Sequence, residues 1–163
     1  MAIADPIQER PDAPAGYGYS KKPEGMLTWD EVEVALASAT VYFLSTIDPD
    51  GGPNTTPIWG AWVGHHLYFE GGDDTRWSKN LASDPRMSFG ADAGGLHISG
   101  KGTVERAKAG NLFKKVAANY SSKYSYKPKR DDFRQLSPRV IIALAMSSLE
   151  AFANTPTRFR FPA

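Results

Sequence analysis

The sequence predicts a mainly β fold: a small antiparallel barrel of six or seven strands with α-helices interleaved. Three observations predict it. Short runs rich in β-branched and aromatic residues recur along the chain, separated by Gly, Pro and Asp turn signals rather than by the regular helices of βαβ units. One run, "LHISGKGTVER", alternates cleanly, with Leu96, Ile98, Gly100, Gly102 and Val104 on one side and His97, Ser99, Lys101, Thr103 and Glu105 on the other. A length of 163 residues with 41% hydrophobic and 23% charged content suits one soluble domain with its own core.

The elements follow in order. Residues 1–25 are rich in Pro, Gly and charge and read as an extended N-terminal arm, leaving 26–163 as a single domain. Thr28 opens a helix. Its spacing to Glu31 is that of a capping box, and Trp29, Val32, Leu36 and Ala39 give the helix one apolar face. "VYFLSTI", 41–47, is a strand that turns through "DPDGG", where Gly51 and Gly52 supply positive φ. The return strand spans 54–63, and Pro57 places it at an edge, or bulged or broken there. A turn at Gly64–His65 leads to a third strand, "HLYFE". A helix then starts at the N-cap Thr75 and stops near Ser83, ahead of Asp84–Pro85. "RMSFGA" is a fourth strand, a longer helix runs from Ala107 to about Tyr124, and "RVIIALAM" and "TRFRF" close the sheet. Such a barrel leaves apolar surface that a dimer would cover, and four Trp, seven Tyr and eight Phe provide the material.

A net charge of +1 gives no global attraction to nucleic acid or membrane, and no apolar run reaches membrane-spanning length. The early acids and prolines are unlike a secretory leader, so a cytoplasmic location is expected. The absence of cysteine removes thiolate, disulfide, Fe–S and cysteine–zinc chemistry, so any redox role needs an organic cofactor or haem. His65, His66 and His97 complete no metal-ligand pattern, and no metal site is expected. The stretch 101–130 is locally basic with tyrosines interleaved. That suits a solvated helix or the tail of an anionic cofactor better than nucleic acid.

The segment "EGGDDTRWSKNL", 70–81, gathers backbone amides, a hydroxyl and two cations at a helix start. A helix N-terminus stabilises an anion, and Thr75, Arg76 and Lys79 would add to that; alternatively the cations solvate a surface, or Asp73 and Asp74 pair with them. Trp77 shares a face with Leu81 and reads first as core or dimer contact, with stacking on a flat ring as the lesser reading. In "TTPIWGAW", backbone groups freed at the proline break could pair with the rim of a heterocycle.

In this order, "YFLSTIDPDGGPNTTPIWGAWVGHHLYFEGGDDTRWSKNLASDPRMSF", "GKGTVER", "SPRVIIALAM" and "TRFRF" resemble the pyridoxamine 5′-phosphate oxidase-like, FMN-binding split β-barrel family, in particular its flavin/deazaflavin-dependent oxidoreductase branch. The resemblance implies a split barrel, a homodimer with cofactor sites at the subunit interface, and FMN or coenzyme F420 as cofactor. It carries the phosphate site onto Thr75, Arg76, Lys79 and Asn80, with Trp77 where relatives often have lysine. It lays the ring along Thr56, Pro57, Ile58 and Trp59, and adds Arg158 from the second subunit. The expected function is hydride transfer between FMN or F420 and a small organic substrate, with no catalytic acid or base identified. A non-catalytic cofactor- or haem-binding protein and a pyridoxamine 5′-phosphate oxidase are the alternatives.

Overall fold

A computed structural model describes residues 3–163 and shows one open antiparallel sheet of nine strands with four α-helices. The strands are β1 (Ile7–Glu9), β2 (Tyr42–Ile47), β3 (Pro53–Ile58), β4 (Ala61–Val63), β5 (His66–Phe69), β6 (Arg86–Ala93), β7 (Leu96–Ala107), β8 (Phe133–Leu144) and β9 (Thr157–Arg160). The helices are α1 (Trp29–Ser38), α2 (Arg76–Ser83), α3 (Phe113–Tyr124) and α4 (Leu149–Asn154). The main path is β1-β9-β8-β7-β6-β2-β3, and it forks at β8. The first half of β8 pairs with β5, through Leu67↔Leu136, and its second half with β9, through Ile141↔Phe159.

Local chemistry accounts for most boundaries. The capping box of α1 forms as expected: the Thr28 side chain accepts from the Glu31 amide and Glu31 returns a bond to the Thr28 amide, an arrangement contributing about 1 kcal/mol. Gly64 and His65 both turn through positive φ between β4 and β5. The N-cap hydroxyl of Thr75 starts α2, and the helix ends at Ser83. Val32, Leu36, Leu44, Leu67, Phe69, Leu136, Ile141 and Phe159 form the main core. A smaller cluster of Ala61, Tyr68, Val116, Tyr120 and Phe133 anchors α3.

Four boundaries differ from the sequence reading. Pro57 lies at an edge as expected, since β3 pairs only with β2, but the 54–63 strand is divided at Trp59–Gly60 into β3 and β4. The long helix begins at Phe113 rather than Ala107; β7 runs through Ala107, held by Ala107↔Phe133 pairing, and a 3₁₀ turn over Gly110–Leu112 follows. Strand β8 starts upstream of "RVIIALAM", at Phe133. The arm contributes a strand, β1, because Arg10 fastens it: its guanidinium donates to the carbonyls of Lys22, Glu24, Asn154 and Pro156. Residues 1 and 2 of the arm lie outside the described residues.

Candidate functional site

Helix α2 has one face built into the fold and one left open. The loop before it needs glycine, since a Cβ on Gly71 would meet the Trp77 ring at 2.5 Å. The Thr75 hydroxyl is already engaged, accepting from the Ser78 amide at 3.3 Å and donating to the Gly72 carbonyl at 2.9 Å. Trp77 is 5% exposed, with its ring edge-on to Phe69 and the Arg134 guanidinium over it. Asn80 is buried, and its amide donates to Thr46 Oγ1 at 3.0 Å and Asp48 Oδ1 at 2.8 Å, tying α2 to the β2–β3 hairpin.

The outward face carries Arg76 and Lys79, both exposed. Asp73 does not pair with them, because Arg134 and Arg106 take it. Hydrogen bonds from those two guanidinia hold its carboxyl below the usual range. Arg86 is likewise paired, with Asp84. Among the described residues, Arg76 and Lys79 form no ion pair, and helix geometry leaves the amides of Arg76 and Trp77 without intrahelical acceptors. Lys79 borders a cleft of about 450 Å³ shared with Asp73, Ser78, Glu105, Arg106 and Arg134.

The expected ring-binding strand is β3. Thr56 and Ile58 are half-buried, facing the same way as Leu44 and Tyr42 of β2, while Pro57 is exposed opposite Phe43. Trp59, just past the strand, is 51% exposed and lies flat on Tyr124, 4.5 Å between centroids at 8°. With Glu70, Gly71, Tyr120, Tyr126, Arg130 and Asp132 it lines a second cleft of about 460 Å³. At the interruption, the backbone of Gly60 is already partnered. The Gly60 amide donates to Tyr124 Oη, and the Gly60 carbonyl accepts from Lys123 Nζ at 2.6 Å and Tyr124 Oη at 3.2 Å. Lys123 also donates to the Ala39 carbonyl and to Tyr42 Oη, and burial pushes its ammonium down to about 8.

Arg158 lies between Glu9 at 3.0 Å and Asp12 at 2.9 Å, joining β9 to the arm of its own chain. In register terms it shares a face with Ile142 of β8. That outer face continues through Ser99 and Lys101 of β7, Ser88 and Gly90 of β6, and Phe43 and Ser45 of β2. Thus α2 and the outer-face residues lie on opposite sides of β2: Thr46 points in toward Asn80 and Ser45 points out. Apart from Arg158, the sequence reading singled out none of the outer-face polar residues as site residues. The signal for them lay in the alternation of "LHISGKGTVER", which put Ser99 and Lys101 on one side without saying that this side was open.

A family model described as pyridoxamine 5′-phosphate oxidase matches residues 28–152. No curated protein matches the chain. Among solved structures, a conserved hypothetical protein from Mycobacterium tuberculosis aligns with a TM-score of 0.63 and 19% identity, over 77% of this chain and 90% of that one. A heme binding protein from Mycobacterium smegmatis aligns with 0.62 and 20%, over 82% and 62%. An F420 reductase aligns with 0.54 and 21%, over 67% and 94%. These likenesses show the shared fold. The chain belongs to the pyridoxamine 5′-phosphate oxidase family, and its open sheet is the split barrel of that family.

Proposed function

We propose that this family member is a homodimeric oxidoreductase that binds FMN or F420 and exchanges a hydride with a small organic substrate. One observation carries the reading: Arg76 and Lys79 project unpaired from the first turns of α2, while Arg86, Arg106 and Arg134 nearby are all ion-paired. Open amides with two free cations match the chemistry of a phosphate group. Trp59 gives one ring face to Tyr124 and leaves the other half-exposed at the end of the edge strand Thr56–Trp59, which suits contact with a flat heterocycle. The F420 reductase among the structural neighbours supports the cofactor class.

The residues then divide the work. Arg76, Lys79 and the first amides of α2 hold the phosphate. Thr75, Trp77 and Asn80 act indirectly, by fixing the helix that presents them. FMN or F420 supplies the hydride chemistry when bound. In one chain Lys79 and Trp59 border different clefts, so a site spanning both needs more surface than a single copy provides. A second copy is proposed to supply it by seating on the outer face, where Val41 and Phe43 are exposed and Val140, Ile142 and Leu144 half-buried. Arg158 stands on that face as well.

Titration of the purified protein with FMN and, separately, F420, followed by absorbance and ring fluorescence, tests the reading. Saturation by one cofactor and reduction or reoxidation of the bound ring by a substrate are expected. Tight binding without turnover would instead make the protein a carrier, and binding of neither would remove the reading. Lys79→Ala is expected to weaken cofactor binding by about 1.5–3 kcal/mol through loss of a charge-assisted contact. Sedimentation is expected to give a dimer.

A further inference from the structure

The outer face carries a second cationic centre, built around a β-bulge. Lys101 pairs with Val140 and Gly102 with Pro138, so Arg139 is the extra residue of β8. The Phe161 amide donates to the Arg139 carbonyl at 2.9 Å and pins the bulge. Gly102 makes it possible. A Cβ there would press into the Ser137 carbonyl oxygen and lie 2.9 Å from the Pro138 Cα. Bulges of this kind re-aim a side chain, and here that side chain is a guanidinium. Arg139, Lys101 and Arg86, from three adjacent strands, line a pocket of about 480 Å³ together with Ser45, Ser88 and Thr103.

The charges in this pocket are unbalanced. Arg86 is paired with Asp84 at 2.6 Å, whereas among the described residues neither Lys101 nor Arg139 has a carboxylate within ion-pairing distance. Like charges on neighbouring strands repel, so an anion between them relieves a cost already present in the fold. The residue set also points to the class of anion. A planar guanidinium fork, a compact ammonium and hydroxyl donors are the groups that bind phosphoryl oxygens.

We propose that this pocket is a phosphoryl-binding site separate from the start of α2, with Arg139 and Lys101 as its principal ligands and the hydroxyls of Ser45, Ser88 and Thr103 lining it. The pocket lies across β2 from Lys79, on the outer face where the second copy is proposed to seat but at the end away from Val41 and Leu144.

Isothermal titration of the native assembly with inorganic pyrophosphate at low salt tests this. The wild-type protein should bind saturably. The Lys101→Ala/Arg139→Ala double variant should bind at least tenfold more weakly while keeping its melting temperature, because both side chains are exposed. Arg139→Lys should retain part of the affinity, and Lys79→Ala, which removes a ligand of the α2 site, should keep the binding component that the double variant loses. Absence of saturable binding, an unchanged double variant, or an equal loss in Lys79→Ala would each overturn the proposal. A parallel titration with FMN identifies the source: a tenfold loss in the double variant assigns the pocket to the cofactor's own phosphate, and unchanged FMN affinity assigns it to a separate anion.

Discussion

Lys123 and Lys101 lie in the same basic stretch of sequence and have opposite roles. On α3, the Lys123 ammonium meets three oxygens, those of Ala39, Tyr42 and Gly60, and sits over the rings of Tyr42 and Tyr124. On β7, Lys101 is exposed beside another cation. The first joins α1, α3 and the β3–β4 interruption, and is as structural as a core leucine. The second has charge to spare. A lysine's role therefore depends on whether the fold supplies oxygens for it, and the same rule separates Arg134 and Arg10 from Arg76 and Arg139.

The strongest way to break this contrast is through the backbone that aims Arg139. Gly102→Ala places a methyl group against backbone atoms that cannot swing aside, and a loss of about 3 kcal/mol in urea unfolding is expected. Where the protein still folds, pyrophosphate binding should fall too. An alanine tolerated with no change in stability would mean that the bulge is adaptable and does not fix Arg139.

Lys123→Met tests the other pole, with an expected cost of about 2 kcal/mol as the Ala39 and Gly60 carbonyls lose their ammonium donor. The pH dependence sharpens the test. Burial lowers the Lys123 ammonium from its ordinary 10.5 to about 8 in the folded protein. Between those values the unfolded chain holds a proton that the folded chain has released, so this group's contribution to stability rises with pH across that window. Methionine has no proton to release. The stability gap between wild type and variant should widen from about pH 8 to pH 10, and a constant gap would show that the ammonium keeps its ordinary affinity for protons.

Local signals account for what the sequence made legible. The Thr28–Glu31 box, the Thr75 cap, the Gly64–His65 turn and the alternation of β7 each depend on residues within a few positions of one another, and each could be read directly. The order of these pieces carried the family. Features that depend on distant partners could not be read. Strand β1 exists because Arg10 reaches carbonyls at 154 and 156, and the start of β8 depends on its pairing with β5 and the far end of β7. The candidate site shows the same division. Arg76 and Lys79 were readable as cations at a helix start, but their freedom follows from Arg106 and Arg134 reaching Asp73 from β7 and β8. Nothing local marks Arg139 as a bulge residue, because the register shift appears only when β7 and β8 are paired.

The finest comparison lies within α2, between neighbours. Asn80 points inward and bonds Thr46 and Asp48, while Lys79 points outward without an ionic partner. Asn80→Ala should cost about 1–2 kcal/mol of stability, since two acceptors on the hairpin lose their donor. It should weaken cofactor binding only as far as the helix loosens. Lys79→Ala should leave stability within about 0.5 kcal/mol, as an exposed unpaired side chain does, and should act on cofactor affinity alone. Measuring unfolding and FMN or F420 affinity for both variants separates a residue that builds the helix from one that the helix presents. If Lys79→Ala lost stability but not affinity, the free cations of α2 would belong to the fold, and the phosphate would have to be sought on the other side of β2, at Lys101 and Arg139.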